Sequence, residues 1–269
     1  MARSLPTASE APSRLAADEV REFHERGFLV VPRLTTAADI EVIRRTLLAL
    51  YRRFDALPRR QAVDLGEQAA PEAPQIPEIN WTIELAPSLR RTLAFQRCAE
   101  IAAQLLGRPA RHTGYDHAIL KPARNACATA WHQDEAYVAD GARRPTVHFW
   151  IPLQDVSVEM GCMHYIPGSH LGPVRQHRRR GGSADAHALE AVDVDGSLGV
   201  ACPVAAGGAT VHLPRTLHYS GPNLTDEPRL AWILEFGAAP APWCRVLGAL
   251  RGGRPPARPA PRDAPATRP

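Results

Sequence analysis

A chain of 269 residues with 45% hydrophobic content and a formal net charge of +4 can bury a substantial core, in one large domain or two small ones. No apolar run approaches the roughly 18 residues that cross a bilayer, and the opening MARSLPTASEAPSRL lacks an apolar signal core, so a cytoplasmic protein with no membrane contact is expected. Five scattered cysteines without a C-x-x-C pair argue against a disulfide framework or a zinc ribbon and for free thiols.

Residues 1–13 read as a flexible leader. A polar stretch from Leu15 to Arg26 predicts a short helix, and GFLVVP (27–32) a buried strand closed by proline. Thr36, with Asp39 three residues on, marks a helix start; Ile40, Ile43, Leu47, Leu50 and Phe54 follow at helical spacing. Residues 57–80, rich in proline and acids, predict a loop. PSLRRTLAFQRCAEIAAQLLG (87–107) predicts a second helix ended by Gly107. After Arg108 short β-like runs alternate with Pro, Gly, Asn and Asp, which predicts an antiparallel barrel or sandwich over 108–240. Within it, 175–191 predicts a long polar loop. We expect one domain over 14–240, with a helical part (14–107) and a β core, then a disordered Pro/Arg tail (241–269). Residues 251–269 hold five Arg and one Asp, a net +4 equal to that of the whole chain. The body is therefore near neutral, and no nucleic-acid partner is expected, since such binders carry the basic stripe on a folded face.

WHQDEAYVAD (131–140) sets His132 and Asp134 two residues apart. On a strand both would face one space while Gln133 points away. The pair alone is half of a metal site or a plain hydrogen-bonded couple. His218, in LHYSGPNLTDEPRLAW, is the best third ligand: Ser220 shares its strand face, and Arg229 opens an apolar run where a buried guanidinium needs an anion. Two His and one carboxylate suit Fe(II) in oxygen-activating enzymes, but also zinc. Arg229 favours an iron oxygenase that chelates a dicarboxylic keto acid, whose far carboxylate needs a forked cationic partner.

GFLVVPRLTTAADIEVIRRTL, the KP before WHQD, FWIPLQDV with GCMHYIPGSH, and LHYSGPN followed by Arg229 together resemble the phytanoyl-CoA dioxygenase family of Fe(II)/2-oxoglutarate oxygenases over roughly 18–237. The resemblance implies a double-stranded β-helix (jelly-roll, cupin-like) core, mainly β with flanking helices. It implies Fe(II) on His132, Asp134 and His218, and 2-oxoglutarate on Arg229, Ser220 and Trp150, with Gln133 and His117 near it. His212 is the rival third ligand, but Ser220 and Arg229 keep their spacing relative to His218. Because Asp134 is present, the halogenation of relatives that lack this carboxylate is not expected.

The implied activity uses O2 and 2-oxoglutarate to oxidise an unactivated C–H of a small organic substrate, giving succinate and CO2. Hydroxylation in natural-product biosynthesis leads; epimerisation or carbocyclisation by the same iron is the alternative. A jelly-roll binding module without turnover is the rival from another class. Tyr137, Glu135 and Arg143, in a lid after the ligand pair, and His148 are candidate substrate contacts, and the run His177–Arg180 is a candidate grip for an anionic one. His24 and His112 are expected at the surface, and His164 and His170 in a structural turn. A monomer or homodimer is expected.

Overall fold

A computed structural model describes residues 14–65, 76–138, 144–179 and 188–239. The expected leader and tail lie outside them, as do Arg143 and Arg180. Helix α1 (Ala17–Arg26) ends on Gly27, whose positive φ of 84° lets its N–H reach the Phe23 carbonyl before strand β1 (Phe28–Val31) begins. Helix α2 (Ala37–Tyr51) starts as expected, with the Thr36 hydroxyl accepting from Asp39 N–H. The Asp39 carboxylate then accepts from Leu93 and Ala94 N–H, which caps α4 (Leu93–Leu105) and ties the two helices together. The second expected helix (87–107) is shortened: its first residues form a tight turn at Pro87–Arg91, which follows the short helix α3 (Thr82–Leu85) and precedes α4. Thr92 caps that restart by accepting from Phe95 N–H.

The remaining strands are β2 (Ala62–Asp64), β3 (Pro77–Asn80), β4 (Ala110–Lys121), β5 (Thr129–His132), β6 (Thr146–Pro152), β7 (Met163–Tyr165), β8 (His177–Arg179), β9 (Leu189–Ala191), β10 (Val200–Cys202), β11 (Ala209–His212), β12 (His218–Ser220) and β13 (Arg229–Ala238). They form a seven-stranded sheet in the order β1-β11-β6-β13-β4-β3-β2 and a four-stranded sheet in the order β10-β7-β12-β5, with all described pairings antiparallel. The expected mainly-β, cupin-like architecture is present. Two expected loops are in part strands. Residues 62–64 pair with 77–80 at the edge of the large sheet, and β8 pairs with β9 as a separate ribbon.

Period-two alternation divides the large sheet into two faces. Leu230, Trp232, Leu234 and Phe236 of β13 join Ile43, Leu47 and Ile101 of the helices in one apolar core. Ala231 and Ile233 face the other way and meet Trp150, Met163 and Tyr165 between the two sheets. His112 departs from its expected surface position. Its side chain is 5% exposed and packs on Phe95 and Phe236, elements remote in sequence that cover it. His170 matches its structural role, with Nε2 against the His24 carbonyl. Among the described residues Cys98, Cys127, Cys162 and Cys202 are free thiols. No described helix is long and apolar enough to cross a membrane.

Candidate metal and co-substrate site

Two rows of side chains face each other between the sheets. On the small sheet, antiparallel register sets His218 of β12 between His132 of β5 and Tyr165 of β7. On the large sheet it sets His148 of β6 between His212 of β11 and Glu235 of β13. Asp134 lies between the rows. Strand β5 stops at His132, and Asp134 opens a tight turn (Asp134–Tyr137), so the pair is not two strand positions as expected. Gln133 between them is still extended, at φ −123° and ψ 124°, and this keeps the alternation for one more residue.

Asp134 Oδ1 is 3.5 Å from both His132 Nε2 and His218 Nε2. The far nitrogens of these rings each meet a backbone carbonyl: His132 Nδ1 is 2.8 Å from Ala130 O and His218 Nδ1 is 2.9 Å from Thr216 O. Each Nδ1 must therefore donate, which leaves the Nε2 lone pairs and a carboxylate oxygen converging on one point. Asp134, His148 and His212 make a second group with ligand-capable atoms in mutual reach. Burial, then the neighbouring His132 ring, pushes His218 well below the usual imidazole range. Burial alone would raise the Asp134 carboxyl. The His218 and His148 rings and the contacts with His132 and His148 outweigh it and hold the carboxyl well below the usual range. A neutral imidazole beside an ionised carboxylate is the protonation state that binds a metal.

Deeper between the sheets, Arg229 is 1% exposed. One of its terminal nitrogens is 3.4 Å from Ser220 Oγ, its guanidinium lies 5.5 Å from the Trp150 ring centre, and among the described residues its Nε has no hydrogen-bond partner. Burial pulls its pKa down to about 10, so it stays a cation near neutrality. Lys121, the only lysine in the chain, is fully buried. It donates from Nζ to Ser220 O at 2.9 Å, Ser220 Oγ at 3.1 Å and Gly221 O at 2.6 Å, fixing the end of β12. A Cβ on Gly161 would come within 2.5 Å of the Gly221 carbonyl, so glycine is required where these segments cross.

Residues 23–231 match the phytanoyl-CoA dioxygenase (PhyH) family. The chain belongs to that family. Three solved structures resemble this PhyH-family chain. EvdO2 from Micromonospora carbonacea var. aurantiaca, complexed with 2-oxoglutarate, is 36% identical, with a TM-score of 0.72 over 85% of this chain and 93% of its own. The non-heme alpha-ketoglutarate-dependent carbocyclase SnoK from nogalamycin biosynthesis is 25% identical, with a TM-score of 0.66 over 88% of each chain. The epimerase SnoN, in complex with Fe3+, alpha-ketoglutarate and nogalamycin RO, is 28% identical, with a TM-score of 0.65 over 82% of this chain and 83% of its own.

Within the PhyH-family chain, the fold brings together His132, Asp134, His218 and His148, and, nearby, Arg229, Ser220 and Trp150. Other expected residues lie differently. The Gln133 side chain is buried away from this cluster, donating to Arg215 O and accepting from Arg175 N–H. His117 Nδ1 meets Glu78 Oε1. Glu135, expected in a lid as a candidate substrate contact, is buried, and its carboxylate is bound twice by Arg215, at 2.7 and 2.8 Å. Tyr137 is 42% exposed, with its ring 6.3 Å from His132 and its hydroxyl accepting from Leu189 N–H. His177 accepts from Gln133 N–H and Arg178 pairs with Glu190. Sequence reasoning passed over Glu235, Tyr165 and the packing role of Lys121. The alternation on β13 carried the signal for the first, since Glu235 shares the parity of Arg229.

Proposed function

We propose that this protein is an Fe(II)- and 2-oxoglutarate-dependent oxygenase that hydroxylates a small organic substrate in natural-product biosynthesis. In this reading His132, Asp134 and His218 hold the iron. Arg229, Ser220 and Trp150 hold the co-substrate, with Arg229 gripping the carboxylate remote from the metal. The iron with 2-oxoglutarate and O2 supplies the oxidising power: substrate C–H becomes C–OH as the keto acid is converted to succinate and CO2. The protein's own part is placement and exclusion of water. Arg229 sets the depth of the keto acid, Trp150 closes one face of its cavity, and Lys121 keeps Ser220 where Arg229 can reach it.

The observation that carries the reading is Arg229. A buried guanidinium with an idle Nε and, among the described residues, no carboxylate in ion-pair range is costly unless an anion arrives. It lies near Ser220, on the same strand as His218, and 2-oxoglutarate fits that demand. EvdO2 bound to 2-oxoglutarate and SnoN bound to Fe3+ and alpha-ketoglutarate support it. The likeness to a carbocyclase and an epimerase supports a second reading, in which the same centre closes a ring or inverts a carbon. The proposed domain spans 14–240 and acts in the cytoplasm as a monomer or homodimer, without nucleic acid or membrane.

Anaerobic titration with Fe(II) and 2-oxoglutarate tests the proposal. A weak visible charge-transfer band is expected, followed on aeration by O2 uptake matched to succinate release. A chain that binds Fe(II) but never develops the band, and never turns over 2-oxoglutarate, would instead be a binding module. Product mass separates the chemistries: hydroxylation adds one oxygen, epimerisation adds nothing, and cyclisation removes two hydrogens.

A further inference from the structure

We infer that His212 and His148 are positioning residues that hold Oδ2 of Asp134, so that Oδ1 alone is offered to the metal. The inference rests on the reading of His132, Asp134 and His218 as metal ligands. His212 Nε2 is 3.1 Å and His148 Nδ1 2.7 Å from the same Oδ2, while Oδ1 faces His132 and His218. The two carboxylate oxygens thus have separate neighbours.

A hydrogen-bond chain fixes the direction on the His212 side. Thr210 Oγ1 is 2.7 Å from Tyr165 Oη, and Tyr165 Oη is 3.2 Å from His212 Nδ1. If His212 carried its proton on Nδ1, its Nε2 lone pair would point at a carboxylate oxygen. The consistent assignment has Thr210 donating to Tyr165, Tyr165 donating to His212 Nδ1, and His212 Nε2–H donating to Asp134. All three side chains are buried, so water does not readily substitute for a lost member. On the other side, His148 lies between Asp134 and Glu235, with its Nε2 3.5 Å from Glu235 Oε2.

The arrangement matters because Asp134 sits just beyond a strand end, where a carboxylate could otherwise turn and bind through both oxygens. Two imidazoles, a two-oxygen carboxylate and a two-atom keto acid would fill an octahedral shell and leave no position for a reactant. Tying Oδ2 back keeps one position open. The rival arrangement is a second cation held by Asp134, His148 and His212. The hydrogen-bonding distances and the donor chain favour the clamp.

The test is an anaerobic titration of the full chain with Co(II) alone, read by visible d–d absorption and by bound metal per chain. The wild type should bind one Co(II), and His132→Ala should abolish binding. His212→Phe keeps ring bulk but has no donor. It should weaken Co(II) binding by roughly 10–100-fold, the usual cost of losing a group behind a ligand, and change the d–d spectrum as a carboxylate oxygen replaces a water. His212→Gln, which restores an N–H at the tip, should recover both. A His212→Phe protein with wild-type affinity and spectrum overturns the inference, as does a wild type holding two Co(II) of which His212→Phe loses one. If His212→Phe fails to fold, Tyr165→Phe decides: it should move affinity and spectrum the same way by a few-fold, and no movement overturns the inference. A wild type that binds no Co(II), or a His132→Ala protein that still does, instead refutes the ligand reading and takes this inference with it.

Discussion

Strand β13 has two faces made from one run of sequence, and they obey different rules. Leu230, Trp232, Leu234 and Phe236 pack against the helices, where nearly everything is hydrocarbon. Arg229, Ala231, Ile233 and Glu235 line the space between the sheets, with a cation at one end and a carboxylate at the other. The first face stabilises the fold by burying apolar area, of order 25 cal/mol per Å². The second gives up that gain at both ends, and the unmet demand it creates is what a ligand can answer. In this molecule the folding face and the working face lie one residue apart.

Five substitutions, at four positions, separate the two faces. The largest effect belongs to the working side: Asp134→Ala should drop 2-oxoglutarate turnover close to background while the far-UV circular dichroism is unchanged, and turnover at the wild-type rate would show that Asp134 is not a ligand. On the packing side, Trp232 is fully buried and donates to Thr82 Oγ1 at 3.0 Å. Trp232→Ala should cost about 3–5 kcal/mol of unfolding free energy in urea. His112 tests the same face through pH. Burial, then nearby Arg90, lowers its pKa from 6.5 to about 4. Between those values the unfolded chain binds a proton that the folded one refuses. Stability should therefore fall by up to ~3 kcal/mol as pH drops through this window, and His112→Phe should flatten that part of the urea-midpoint profile. Back on the working side, Arg229→Ala should raise the 2-oxoglutarate requirement roughly a hundredfold, about 2.7 kcal/mol. Co(II) affinity should stay within about twofold, and Arg229→Lys should recover only part of the loss, for want of the fork.

Strong local patterns were legible in the sequence. The helical spacing of Ile40, Ile43, Leu47 and Leu50, the Thr36 cap and the apolar run of β13 each map onto an element. Short polar strands were not legible. The three residues of β2, β8 or β9 are too few to show a period, and they pair only because a distant partner is present. His112 misled for a related reason: its neighbours in RHTGYD are polar, and the rings that cover it come from α4 and β13. Around the candidate site, alternation placed Gln133 away from His132 and Asp134, and its amide is spent on backbone at 175 and 215. Which oxygen of Asp134 meets which imidazole depends on strand register between two sheets, and spacing along the chain does not encode that.

Lys121 gives the molecule a built-in clock. Every other basic side chain except histidine is arginine, so the folded protein shows no lysine ε-amine to an acylating reagent. The rate at which a mass-tagged ester finds Lys121 would time how often the floor beneath Arg229 comes apart, and a bound keto acid should slow that clock.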